Sequence, residues 1–159
     1  MSPRIMPTVL SIMLIWPVCK AGYCGSAVRA AIQQEYNNSD AAANRGDAAG
    51  AAERFGDPNL KSQANSTLGE LLKAVTSPNF HTKVVFFAQP SGNKQQAVVV
   101  VKQHFQGILL KTRSGSTAII ASDGQFREFW SVYNGQWRTM RSRLLSMTRT
   151  LNGHPVKSW

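Results

Sequence analysis

Cysteine is almost missing from this chain, and its placement decides much of what can be excluded. Cys19 and Cys24 are the only two in 159 residues. A cut beyond Cys24 would leave a domain without disulfides, thiolate nucleophiles or Cys-based metal sites. Histidine is scarce as well: His81, His104 and His154 stand far apart, no two at ligand spacing, so no metal site is expected. The chain has no glycine-rich phosphate loop and no serine in a nucleophile-elbow setting. It also lacks the roughly 20 consecutive apolar residues that a spanning helix needs. Its apolar run at 5–18 is shorter and is interrupted by Pro7 and Pro17. No cofactor is implied.

Acidic residues are missing from one half in particular. Across 81–159, eleven Lys and Arg face only Asp123 and Glu128, whereas 28–80 is close to neutral. The formal net charge of +10 therefore belongs mostly to the C-terminal half.

The N-terminus reads differently from everything after it. A short basic start ending at Arg4 precedes the apolar run, and small residues follow at Ala21, Gly22, Gly25, Ser26 and Ala27. That order marks a secretory signal peptide, with cleavage expected after Ala27. The expected organisation is a leader over 1–27, one domain over 28–150 and a tail over 151–159, with an exported (periplasmic or secreted) product.

Within the domain, a helical half precedes an extended half. Val28, Ile32 and Tyr36 form one helical stripe. Gly46 stops that helix, and Asp47 caps a short second one over 48–55, ended by Gly56-Asp57-Pro58. The polar stretch 59–66 reads as loop. Thr67-x-x-Glu70 reads as a capping box that opens a third helix, closed by Ser77-Pro78-Asn79. Strands follow over 83–88, 96–110, 116–132 and 137–145, with a bend near Asp123-Gly124 and a hairpin turn at Asn134-Gly135. Three helices and four long antiparallel strands make an α+β fold with helices on one face of a sheet.

The order of these features resembles the nuclear-transport-factor-2-like superfamily, in its SnoaL-like branch of polyketide cyclases and small exported proteins. The resemblance is carried by the first helix, Gly46-Asp47, the short helix ending at Phe55, the third helix and the hairpin Trp130-x6-Trp137-Arg138. It implies a cone: a strongly curved sheet wrapped around helices with a cavity between them, often dimerised through the sheet. Ketosteroid isomerase shares the Gly-Asp pair and the Phe eight residues later. Its oxyanion Tyr corresponds without gaps to Ser39, one turn after Tyr36, and its general base corresponds to Gln63. A neutral amide cannot abstract a proton, so that chemistry has no agent here.

The acid–base candidates that remain are Asp57 and His104. Asp57 also fits a helix-ending turn, and His104 also fits a structural strand residue. For an apolar ligand, the expected cavity contacts are Tyr36, Phe55 and Trp130, with His104 or Arg141 as the orienting polar group. Along Arg138-Thr-Met-Arg141-Ser-Arg143, strict alternation places Arg141 and Arg143 on one face with Trp137, and Arg138 on the other. No nucleic-acid motif accompanies this basic strand. An anionic envelope surface suits it better in an exported protein. The function expected is binding of a small, mostly apolar molecule by a homodimer without catalysis. The alternatives are a SnoaL-like isomerase, cyclase or hydrolase using Asp57 or His104, or an envelope interaction module.

Overall fold

The computed structural model describes residues 23–90, 92–110 and 115–158, so the basic start and the apolar run lie outside it. Three helices, α1 (Tyr23–Asn44), α2 (Ala48–Ala52) and α3 (Pro58–Ala74), precede five strands. These are β1 (Val75–Ala88), β2 (Gln96–Leu109), β3 (Ala118–Tyr133), β4 (Gln136–Leu151) and β5 (His154–Val156). Each strand pairs antiparallel with its chain neighbour, in the order β1-β2-β3-β4-β5. The result is the expected α+β cone. Because α1 begins at Tyr23, the bond after Ala27 falls within its first turns.

α1 lies on the sheet through the stripe read from sequence. Ile32 and Tyr36 are buried against Val84, Val99, Val101 and Trp130, with Val28 at the margin. The same stripe continues one turn further to Asp40, which is also buried. Asp47 caps α2 by accepting from the Gly50 N–H at 2.8 Å.

Residues 59–66 are helix, not loop. Asp57 accepts from the Leu60 N–H at 2.9 Å and Pro58 occupies the first helical turn, so α3 starts there and runs through Thr67. Its apolar signal is a sparse stripe, Leu60, Ala64, Leu68 and Leu71, on which polar neighbours are superimposed. The third helix ends where β1 begins, so Ser77-Pro78-Asn79 lies inside that strand. There the register shifts between Thr76 and Asn79, and Ser77 takes a φ of 51°. A proline is tolerated because β1 is an edge strand and the shift frees it from the ladder. The last long strand reaches Leu151, and β5 adds a short hairpin in the expected tail. The Asn134-Gly135 turn forms as read, with φ of 49° and 76°.

A shift between Val84 and Phe86 leaves Val85 as an extra residue on β1. Two more, between Gln125 and Phe126 and between Phe129 and Trp130, leave Leu145 and Met140 as extra residues on β4. They replace the single bend expected near Asp123-Gly124. The segment after α2 closes the structure on the other side. Phe55 bridges Thr139 in parallel, with the Gly56 N–H donating to the Thr139 carbonyl at 2.9 Å. A side chain at Gly56 would sit 2.8 Å from Met140 Sδ and 2.9 Å from Arg138 Cβ, so only glycine allows this approach.

The Asp57 cap gives a direct test. Asp57→Ala is expected to cost about 1 kcal/mol, whereas Asp57→Asn, which keeps an acceptor, costs far less; thermal melting of both variants checks this.

Candidate functional site

Between α3 and the inner face of the sheet lies a cavity of about 540 Å³. α3 contributes Leu60, Ala64, Leu68 and Leu71, and the strands contribute Phe80, Phe105, Phe126, Leu144 and Met147. Phe55 closes one end. The polar groups on its wall are mostly neutral: Gln63, Thr67, Gln103, Ser122 and Ser142, with the Arg149 guanidinium as the charged one. No residue of α3 is fully buried: its inner face borders this space, with Leu68 and Leu71 also packed against buried neighbours.

Behind the wall sits a buried polar cluster. Glu128, on β3, is 1% exposed. Its Oε2 accepts from the Tyr36 hydroxyl at 2.5 Å, from Arg54 Nη1 at 2.8 Å and from the Thr139 hydroxyl at 3.2 Å. Its Oε1 accepts from the Ser142 hydroxyl at 3.1 Å, and Ser142 faces the cavity. Trp130 Nε1 in turn donates to the Tyr36 oxygen at 3.2 Å. Arg54 lies over the Phe55 ring at 4.0 Å and the Tyr36 ring at 5.0 Å. Burial pushes the Tyr36 phenol well above its ordinary value, and the neighbouring Glu128 charge adds to this, so the hydroxyl stays a donor. Burial works against the Arg54 charge, but Glu128 and Tyr36 outweigh it and raise its pKa.

A second cluster stands nearer the other end of α1. Asp40 accepts from the Thr82 N–H at 2.6 Å and from the Thr82 hydroxyl at 2.9 Å. Gln103 Nε2, on the cavity wall, donates to that same hydroxyl at 3.2 Å. Burial raises the Asp40 carboxyl above its ordinary 3.8, although both Thr82 bonds pull it down.

Of the expected ligand contacts and acid–base candidates, Phe55 alone lines this cavity; Gln63, at the position of the isomerase base, lines it too. Tyr36 and Trp130 lie behind it, in the core with Glu128. On β2 the inward positions are Val99, Val101, Gln103 and Phe105, so His104 points out of the opposite face, where Nδ1 meets Asp123 at 2.9 Å. Arg141 also lies on that outer face, paired with Phe129. Strict alternation had put it with Trp137; the extra residue Met140 separates them, so Trp137 packs on the core while Arg141 and Arg143 face out. Asp57 is occupied as a helix cap.

Arg54, Glu128 and Asp40 were missed by sequence reasoning, although Glu128 and Asp40 each had a signal. Glu128 shares the parity of Phe126 and Trp130 in β3, and Asp40 stands four residues after Tyr36 on a buried stripe. A charged residue at a core position is the mark of a paired internal charge.

No family model matches the sequence, and no curated protein does. Solved structures match over most of the chain. A scytalone-dehydratase-like protein from Novosphingobium aromaticivorans superposes with a TM-score of 0.60 at 16% identity, covering 79% of this chain and 89% of that one. A hexachlorocyclohexane dehydrochlorinase does so at 0.58 and 13% identity, covering 84% and 96%. A nuclear-transport-factor-2-like superfamily protein from Salmonella enterica gives 0.55 at 15% identity, covering 75% and 90%. The chain has the nuclear-transport-factor-2-like fold. Helices packed against a mostly antiparallel sheet, with a cavity between them, are what the resemblance implied. In this nuclear-transport-factor-2-like cone the cavity wall and the buried carboxylate are separate layers, joined through Ser142.

Two measurements test these clusters. Arg54→Met leaves Glu128 buried without its cation and should destabilise the fold by about 3–5 kcal/mol; Glu128→Gln should cost less in that background than in the wild type, as denaturant titration of the double-mutant cycle will show. For Asp40 the folded state holds its proton more tightly than the unfolded chain. Its contribution to stability is therefore complete below 3.8 and is lost as pH rises through the raised folded value. Asp40→Asn should flatten the part of the melting-temperature profile that falls as pH rises above 3.8.

Proposed function

We propose that this chain is an exported binding protein whose cavity holds a small, mostly apolar molecule. The observation that carries the reading is the wall itself: apolar and aromatic side chains around about 540 Å³, with a few amide and hydroxyl groups to fix orientation. That volume and that mixture suit a small organic ligand. Recognition would rest on shape and on neutral hydrogen bonds from Gln63, Gln103, Ser122 and Ser142. Two of the similar structures are a dehydratase-like protein and a dehydrochlorinase, which makes elimination the natural catalytic comparison. A base for such a step would have to reach the cavity. The carboxylates of Glu128 and Asp40 stand behind Ser142 and Gln103 with their oxygens already accepting hydrogen bonds, which favours binding. Export rests on the basic start, the apolar run and the small residues up to Ala27.

Native mass spectrometry of protein expressed with its full sequence and recovered from the exported fraction tests both parts. The expected species begins near Val28 and carries an added mass of ligand size; the spectrum also reports whether it is a dimer through the sheet. Ala64→Trp fills the cavity from α3 and should abolish the added mass while the protein stays folded. Equal ligand in the wild type and the filled variant would overturn the cavity reading, and a full-length mass would overturn the processing.

A further inference from the structure

The outer face of the sheet, turned away from the helices, has a charge pattern that the cavity does not explain. Register sets Lys83 directly opposite Lys102, and Arg127 directly opposite Arg143, with Arg141 opposite Phe129 one step along. All five basic side chains are exposed. Among the described residues, none of them takes part in an ion pair. Like charges directly across a ladder weaken a sheet. This face sets two such pairs on neighbouring rows, and its Asp123 is already matched to His104.

Apolar groups are interleaved with the charges. Phe86 and Phe129 are 53% and 45% exposed, and Val98 and Val100 lie between them on β2. Beyond Phe129, Tyr133 is 51% exposed. A recess of about 440 Å³ opens here, lined by Val98, Phe129, Tyr133 and Arg141 among others.

We propose that this outer face docks on an anionic lipid bilayer, with Lys83, Lys102, Arg127, Arg141 and Arg143 at the phosphate layer and Phe86 and Phe129 entering the headgroup–acyl boundary. The argument is charge complementarity combined with spacing. A basic array spread over four strands matches a surface of many anions better than one bound anion, and it relieves the repulsion within each opposed pair. Exposed rings beside long cationic side chains are the combination that settles at a membrane interface. A second copy of this face would instead bring the basic rows onto one another. Since the cavity lies on the helix side of the sheet, docking by the outer face leaves it free.

Vesicle co-sedimentation of the full chain tests this, using phosphatidylcholine vesicles with and without phosphatidylglycerol, at low and high salt. The expected result is partition onto the anionic vesicles alone, falling as salt rises. Arg127→Gln with Arg143→Gln should lower that partition by about fivefold per residue removed, with the melting temperature unchanged or raised. Phe86→Ser with Phe129→Ser should weaken it at every salt concentration, and Lys61→Gln, which lies on α3 beside Glu53, should change nothing. Residues 1–27 are common to all these proteins, so the differences between variants read the sheet face. Equal binding to neutral and anionic vesicles, or no loss in the Arg127/Arg143 variant, would overturn the proposal. So would retention on heparin without vesicle binding, or a dimer that Phe129→Ser dissociates and that ignores vesicles.

Discussion

A carboxylate taken fully out of water must be met by donors from whatever surrounds it, and Glu128 is met from three directions. Tyr36 comes from α1, Arg54 from the turn after α2, and Thr139 and Ser142 from β4. Each of these elements is therefore held at a fixed distance from β3. An ion pair in such a setting adds little net stability over an apolar replacement, but it is costly to break, so it acts on geometry more than on total stability. Here the geometry it fixes is the closed end of the cone. The stacking of Arg54 on Phe55 and the bridge from Phe55 to Thr139 both follow from where Glu128 draws the guanidinium.

The cavity is the counterpart of that tight end. Where Tyr36, Trp130 and Glu128 fill the space between α1 and the sheet, α3 extends no aromatic side chain. Its residues facing the sheet include Ala64 and Thr67, and the strands answer with Ser122 and Ser142. Small residues on both walls leave a gap that close packing would otherwise remove. Two of the polar groups on the wall are tied to the buried carboxylates, Ser142 directly to Glu128 and Gln103 through Thr82 to Asp40. Their orientation is thus set from behind, before any ligand enters.

Much of this was legible in the sequence, and the misses share a cause. The stripe of Val28, Ile32 and Tyr36, the Asp47 cap and the Asn134-Gly135 turn rest on local chemistry, which the chain carries wherever it folds. The start of α3 was misplaced because Asp57-Pro58 fits both a stop and a start, and the polar 59–66 segment hides a stripe completed by Ala64. His104 and Arg141 were placed by residue type, whereas their facing depends on register, which is set by pairing with distant strands. Glu128 and Arg54 are 74 positions apart in sequence. Only the fold could show them to be partners, although the parity of Glu128 with Phe126 and Trp130 already placed a charge in the core.

The two extra residues of β4 behave like a reading-frame shift and its suppressor. Up to Thr139 the odd positions face the helices; after Met140 the even positions, Ser142 and Leu144, do so; after Leu145 the odd positions return with Met147 and Arg149. The middle of the strand is thus decoded in the opposite phase from both ends. Met-Arg-Ser-Arg-Leu reads as basic outside and small or apolar inside only in that phase. Pairing either extra residue into the ladder would leave everything beyond it transposed, exchanging the cationic face with the ligand wall, while pairing both would transpose the middle alone. The division of labour between the two faces of this sheet is therefore written in residue count as much as in residue type.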